Sequence, residues 1–170
     1  MHDLTMTDQK AIETAFAGFP SGVAALTALV DGIPSGLVAT SFTVGVSFDP
    51  PLVLFSVRNS STTWPILRTA RRIGVSILGS AHEAACMQLA SRSRDRFAGL
   101  ATETSEEGAM FLHGSVMWLD CEISAEIPAG DHSVIVLAVH SIKHAADIEP
   151  LVYHGRAFRR LAVEAAELAA

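Results

Sequence analysis

Between residues 37 and 63 the chain places small hydroxyls where an apolar stretch would otherwise run. Thr40-Ser41 interrupts an apolar extended segment, and Ser47, Ser56, Asn59, Ser60, Ser61, Thr62 and Thr63 gather around Asp49-Pro50-Pro51. A hydroxyl donates and accepts at one small atom, so hydroxyls beside strand backbone can hold the carbonyls and ring nitrogens of a flat heterocycle and leave room for it. Ser60-Ser61-Thr62-Thr63-Trp64-Pro65 reads as a helix start, with Pro65 in the first turn where its missing N–H costs nothing. Free N–H groups there, with Arg58 close by, suit a phosphate. The same residues also make an ordinary Ser/Thr-rich loop ending in a helix cap, and spacing alone leaves both readings open.

Other chemistries find less support. His140 and His144 are four apart on a segment that reads as a strand and its end. That spacing puts them about 13 Å apart, and no HExxH is present, so no metal site is expected. There is no GxSxG elbow and no GxGxxG or GxxxxGK[ST] phosphate loop. Cys86 and Cys121 form neither a CxxC pair nor a zinc spacing, and Cys86 falls on the apolar side of a helix as an inert thiol.

With 170 residues the chain has the length of one domain, 1–170, able to bury a real core. Apolar residues make up 49% and charged residues 18%, which argues against disorder. The net charge of −6 argues against a general nucleic-acid binder. The start, Met1-His2-Asp3-Leu4, lacks the basic and apolar regions of a signal peptide, and no apolar run reaches the ~20 residues of a membrane span. A soluble cytoplasmic protein with no membrane partner is expected. The charge is uneven: residues 1–57 carry Lys10 and no arginine, then Arg58, Arg68, Arg71, Arg72, Arg92, Arg94 and Arg96 follow. A basic middle in an acidic chain suits a local anion site, although each arginine singly also suits a solvated helix face.

Several elements must position these groups. A first helix is capped by Thr7 or Asp8, shows Ile12, Phe16 and Phe19 on one apolar face, and is stopped by Gly18 and Pro20. Val23 to Val30 is a strand, Asp31-Gly32 a hairpin turn, and Leu37 to Val46 an extended segment with Gly45 at a bulge. Asp49-Pro50-Pro51 is a turn or edge before the buried strand Leu52 to Val57. Ile73 to Leu78 is a strand, and Ser80-Ala81-His82-Glu83 a capping box opening a helix to about Ala90. Residues 91–110 read as a loop with a helical turn around Arg94–Phe97. Leu119, Cys121, Ile123, Ala125 and Ile127 alternate with polar residues as a half-wet antiparallel strand, and Pro128-Ala129-Gly130 turns the chain. Ser133 to Val139 is apolar on both faces and so needs cover from barrel packing, a helix or a second subunit. Residues 151–160 make a last strand, and the chain from Ala162 is helical or frayed. About seven strands with a few inserted helices favour a mainly β, antiparallel Greek-key barrel.

In this order the landmarks Phe19-Pro20-Ser21-Gly22-Val23, Gly36-Leu37-Val38-Ala39-Thr40-Ser41-Phe42, Ser47-Phe48-Asp49-Pro50-Pro51, Asp95-Arg96-Phe97, Leu119-Asp120-Cys121-Glu122, Gly130-Asp131-His132 and Pro150-Leu151-Val152-Tyr153-His154-Gly155 resemble the flavin reductase family, over about residues 15–160. These are small NAD(P)H:flavin oxidoreductases that feed two-component monooxygenases. Thr40 stands where Asn is frequent in the family, and Ser41 to Asp49 is one residue longer, with Gly45-Val46 as the extra bulge.

The resemblance implies an FMN-binding split β-barrel, usually a homodimer with flavin near the subunit interface. It implies FMN or FAD as cofactor, NADH or NADPH as hydride donor, and transfer of reduced flavin by diffusion to a flavin-dependent monooxygenase. Thr40 and Ser41 would contact the isoalloxazine, with Ser47 nearby. Ser56, Val57 and Arg58 would line the ribityl chain, and Ser61 and Thr62 would receive the phosphate. Ser91 and Arg92, ahead of Phe97, would reach phosphate or an adenylate tail. Asp131 and His132 belong to a Gly-Asp-His turn that seats the nicotinamide, with His132 as the candidate catalytic residue. Tyr153, His154 and Gly155 would close over the dinucleotide. A flavin-binding split-barrel module without reductase activity, or a purely structural dimeric barrel, stays open at this level.

Overall fold

A computed structural model describes residues 7–92 and 95–162. The expected C-terminal helix, Arg94 and residues 1–4 therefore fall wholly or largely outside the described chain.

The helix α1 (Gln9–Phe16) is capped as expected, with Asp8 Oδ1 accepting from the Ala11 N–H at 3.0 Å. Of the expected apolar face Ile12 is half-buried, whereas Phe16, and Phe19 beyond the helix, are 76% and 77% exposed. After β1 (Ser21–Gly22), strands β2 (Ala24–Val30) and β3 (Ile33–Ala39) form a hairpin in which Val30 pairs with Ile33. Asp31 and Gly32 both take positive φ, as a tight two-residue turn matched to strand twist requires. The chain then breaks at Thr40–Phe42 before β4 (Thr43–Phe48), whose register against β5 (Pro51–Arg58) shifts around Gly45, as its sequence position suggested.

The strands β6 (Ile73–Ile77), β9 (Met117–Ala129) and β10 (His132–His144) complete a seven-stranded antiparallel sheet in the order β3-β2-β6-β9-β10-β5-β4. Its inner face buries Leu26, Phe55, Val75, Leu119, Cys121, Ile135 and Leu137 as one core. Two short helices cross it, α2 (Trp64–Leu67) and α3 (Glu83–Leu89), and Trp64 of α2 meets Phe55 edge-on at 5.4 Å between centroids. Among the described residues no helix is long and apolar enough to cross a membrane.

Four expectations need correction. The start of α3 is not capped by Ser80 with Glu83 at the third position. A 3₁₀ turn, Ser80–His82, comes first: Gly79 caps it, with His82 Nδ1 accepting the Gly79 N–H at 3.1 Å, and α3 then starts from His82 with Glu83 as its first residue. Residues 91–110 are not only loop: β7 (Thr102–Thr104) pairs with β8 (Met110–Leu112), the latter fully buried. The single last strand is a hairpin, β11 (Val152–His154) and β12 (Ala157–Arg159), turned at Gly155-Arg156 with positive φ and paired through β11 to β1.

The fourth concerns β9, which continues through Pro128 to Ala129, so that the turn is Gly130-Asp131 alone. Its expected alternation holds only for half its length. Ile123 pairs with Leu137, but Ala125 pairs with Val136, so Ser124 is an extra residue. One inserted residue exchanges the faces beyond it. Leu119, Cys121 and Ile123 lie on the core side, whereas Ala125 and Ile127 join Val134, Val136, Leu54 and Leu52 on the outer side. Ile127 is 52% exposed. The run Ser133 to Val139 is thus buried on its inner face by Ile135 and Leu137, and its outer face is only partly covered.

Candidate active site

Where β3 ends and the chain leaves the sheet, the backbone of Leu37–Thr40 faces the end of β5 and the loop that follows it. Between them opens a cleft of about 470 Å³, within the usual size of a small-molecule site. It is lined by Thr40, Ser41, Ser56, Val57, Arg58, Ser60, Ser61, Thr62, Thr63, Arg92, Arg96 and His132, together with apolar wall from Leu37, Val38 and Leu89. The structure therefore brings together Thr40, Ser41, Ser56, Val57, Arg58, Ser61, Thr62, Arg92 and His132 from the expected set. Ser47, Ser91, Phe97, Asp131, Tyr153, His154 and Gly155 are not among the lining residues. Ser47 lies on β4 opposite Leu52, and Tyr153 packs edge-on against Phe158 at 5.5 Å in the small sheet. Gly155 donates its N–H to the Ala17 carbonyl, so the hairpin that carries His154 is pinned to the end of α1. Phe97 lines a neighbouring cavity, and Ser91 offers its carbonyl to Arg96.

The hydroxyls of this cleft have different tasks. Ser41 Oγ accepts from the Ser56 N–H and donates to the Ser56 carbonyl, both at 3.0 Å. That side chain stands in for a missing ladder pair and holds the β3–β4 connection to β5. Ser61 Oγ accepts from the Trp64 N–H at 3.1 Å, and Thr63 Oγ1 accepts from Arg96 at 2.7 Å. Thr40, Ser60 and Thr62 carry no side-chain hydrogen bond among the described residues, which leaves their hydroxyls for a ligand. The helix start is weaker than its sequence suggested, because α2 has four residues and a one-turn helix has little dipole. Positive charge comes instead from Arg58, Arg92 and Arg96, and among the described residues no carboxylate lines the cleft.

Arg96 is the residue the sequence reading placed as a landmark without a role. Its Nε donates to the Ser91 carbonyl at 2.8 Å, and its Nη1 donates to the Gly36 carbonyl at 3.0 Å and to Thr63 Oγ1. One guanidinium thus ties β3, the segment before α2 and the loop after α3 into one wall. Asp95 fixes that loop by accepting the N–H groups of Phe97 and Ala98 on Oδ1. The signal available in the sequence was Asp followed by Arg inside a basic stretch, but the carbonyls it reaches are not legible there.

His132 opens β10 directly opposite Arg58. Its Nδ1 lies 2.7 Å from Asp131 Oδ1, so in the neutral ring Nδ1–H donates to the carboxylate and Nε2 is left as an acceptor. This bond, and then the charge of His132, holds the Asp131 carboxyl below its ordinary range, with a smaller contribution from Arg58. Asn59 steadies the turn, donating its backbone N–H to the Asp131 carbonyl and its amide to the Gly130 carbonyl. The two thiols stand apart from this chemistry. Burial pushes Cys86 up to about 11 and Cys121 up to about 12.

A seven-stranded antiparallel sheet thus carries a cationic, hydroxyl-rimmed cleft of a size and chemistry that suit a flat, phosphorylated ligand. The chain belongs to the flavin reductase like domain family, which matches residues 16–162. It is 33% identical over 148 residues to a flavin reductase of Pseudomonas putida, covering 86% of each chain. It is 33% identical over 153 residues to the 4-hydroxyphenylacetate 3-monooxygenase reductase component of Thermus thermophilus, covering 90% of this chain and 97% of that one. The fold superposes with a TM-score of 0.90 and 31% identity on the Streptomyces globisporus NADH:FAD oxidoreductase SgcE6 in complex with NAD and FAD fragments, covering 97% and 99%.

Proposed function

We propose that this protein is an NAD(P)H:flavin oxidoreductase that reduces FMN or FAD and supplies the reduced flavin to a partner monooxygenase. The observation that carries the reading is the cleft itself. Three arginines, three hydroxyls with no side-chain hydrogen bond and a histidine, with no carboxylate lining the cleft among the described residues, fit an anionic flavin. When both ligands are bound, the nicotinamide supplies a hydride from C4 and the flavin accepts it at N5. No strong acid or base is then needed from the protein, whose work is to align the rings and to stabilise charge.

Thr40 and the Ser56–Val57 backbone hold the ring edge and ribityl chain, with Ser41 acting through Ser56. Thr62 and Ser60 donate their hydroxyls to the phosphate under the field of Arg58, Arg92 and Arg96. His132, held in one tautomer by Asp131, offers Nε2 to the carboxamide of the nicotinamide. Tyr153, His154 and Gly155 close over the dinucleotide from the small sheet. The outer face built from Leu52, Leu54, Ile127, Val134 and Val136 supports a homodimer of single-domain chains, and the Ser41–Ser56 bond across the gap between β3 and β5 supports a split barrel. The protein works in the cytoplasm, where its nicotinamide donor is regenerated.

Mixing protein, NADH and flavin and following NADH absorbance tests the reading. Flavin-dependent consumption is expected. A yellow protein that leaves NADH untouched would reduce the reading to a binding module, and neither behaviour would remove it.

A further inference from the structure

Asn59 is not among the residues that line the cleft, yet both of its chain neighbours, Arg58 and Ser60, are. It lies in a tight turn at the end of β5, closed by the Ser61 N–H on the Arg58 carbonyl at 2.9 Å. From there it reaches the start of β10 and the turn before it three times. Its backbone N–H donates to the Asp131 carbonyl at 3.0 Å, and its side-chain Nδ2 donates to the Gly130 carbonyl at 3.2 Å. Its Oδ1 accepts from Ser133 Oγ at 3.3 Å. These partners bracket His132 on both sides, and none of them is His132 itself. Asn59, Gly130 and Asp131 are exposed, so water would satisfy the same groups and the bonds add little to the stability of the fold. What they do is fix a position. A primary amide carries donor and acceptor on one planar group, which lets a single short side chain hold a carbonyl before His132 and a hydroxyl after it.

From this bracket we infer that Asn59 is a positioning residue for hydride transfer: it ties the turn beside the flavin phosphate to the turn that carries His132, and so keeps flavin and nicotinamide in register. The inference rests on the cleft being the flavin site and on His132 meeting the nicotinamide. Two rings that must meet at near-attack distance tolerate little error, and a misplacement of about 1 Å costs about 100-fold in rate. Asn59 touches neither ring. Its loss therefore acts through His132 and falls on the transfer step more than on the binding of flavin.

A double-mutant cycle on the full chain tests this. Flavin bleaching is followed in a single turnover without oxygen, with protein in excess over the flavin that the wild type reduces faster and with saturating NADH. Asn59→Ala keeps the backbone bond and removes both side-chain bonds. It should slow bleaching at least about tenfold while the flavin Kd rises less than about threefold. In the His132→Ala background the same substitution should cost less than about twofold, because the group that Asn59 positions is gone. A merely structural asparagine would cost the same factor in both backgrounds. Ser133→Ala removes only the third bond, and it carries the same cycle with a smaller loss should Asn59→Ala fail to fold. Wild-type bleaching in Asn59→Ala or in His132→Ala, or losses that multiply in the double variant, would overturn the role and leave the flavin site in place. A wild-type protein that binds flavin but does not bleach it with NADH would overturn the reductase reading and this role together.

Discussion

Ser41 Oγ holds Ser56 from both sides, accepting its N–H and donating to its carbonyl at 3.0 Å each. Ser41 lines the cleft and at the same time clasps the end of β5. Ser41→Ala leaves both backbone groups without that partner and should lower unfolding free energy by about 1–2 kcal/mol. The flavin KM should rise because Ser56 and Val57 shift, while turnover at saturating flavin persists. A urea midpoint equal to wild type would show that the clasp carries no load.

Arg96→Lys tests geometry at constant charge. Lysine can reach one of the three acceptors but cannot span Ser91, Gly36 and Thr63 as the planar fork does. Flavin affinity should fall at least about tenfold in both Arg96→Lys and Arg96→Met, a loss of about 1.4 kcal/mol. Recovery in the lysine variant would mean that charge alone is needed.

His132→Ala should slow NADH oxidation more than it weakens flavin binding, and steady-state kinetics at saturating flavin reads this directly. Asp131→Asn keeps the shape but removes the charge that favours the Nδ1–H tautomer, so it should also slow NADH oxidation. The sign of the pH effect follows from the direction of the shift. The Asp131 carboxyl is held below 3.8, so its bond to His132 is present above that value and is lost only as pH falls through the lowered one. Wild-type activity should show no acid limb from Asp131 between about pH 5 and 8.

Both cysteines should be silent toward thiol reagents in the folded protein at pH 8, and both should react once guanidinium unfolds it. Their raised values have a linked effect on stability. Below the ordinary thiol value of 9.0 the folded and unfolded chains hold these protons alike, and stability then falls as pH rises from there toward about 11 and about 12. Rapid modification of the native protein at neutral pH would contradict the burial of Cys86 and Cys121.

Ile127→Asp places a charge on the outer face without touching the core. Sedimentation should show the wild-type chain as a dimer and this variant as a monomer with native circular dichroism. A wild-type chain that sediments as a monomer would remove the assembly.

Much of the scaffold was legible because its signals are local. Asp31-Gly32, Gly45 and the Asp8 cap each announce a backbone conformation that few other residues accept. The hydroxyl cluster was legible for the same reason, since polar residues in an apolar strand are conspicuous. What could not be read were pairings across long separations. Ser41 with Ser56, and Arg96 with Gly36 and Thr63, depend on which strands the fold makes neighbours. The capping role of His82 was hidden by the stronger local motif of Ser80 and Glu83. The fate of Phe16, Phe19 and Ile127 was hidden too, because apolar periodicity says which side is oily and not whether this chain covers it.

The unpaired Ser124 decides which way the far half of β9 looks. Were Ser124 to pair in turn and the alternation run on unbroken from Ile123, Ala125 and Ile127 would face the core and Glu126 would look outward, away from Arg68. The bulge instead keeps the acid within reach of the arginine and leaves two apolar side chains on the outer side. An odd count along one strand thus sets the chemistry of a whole surface.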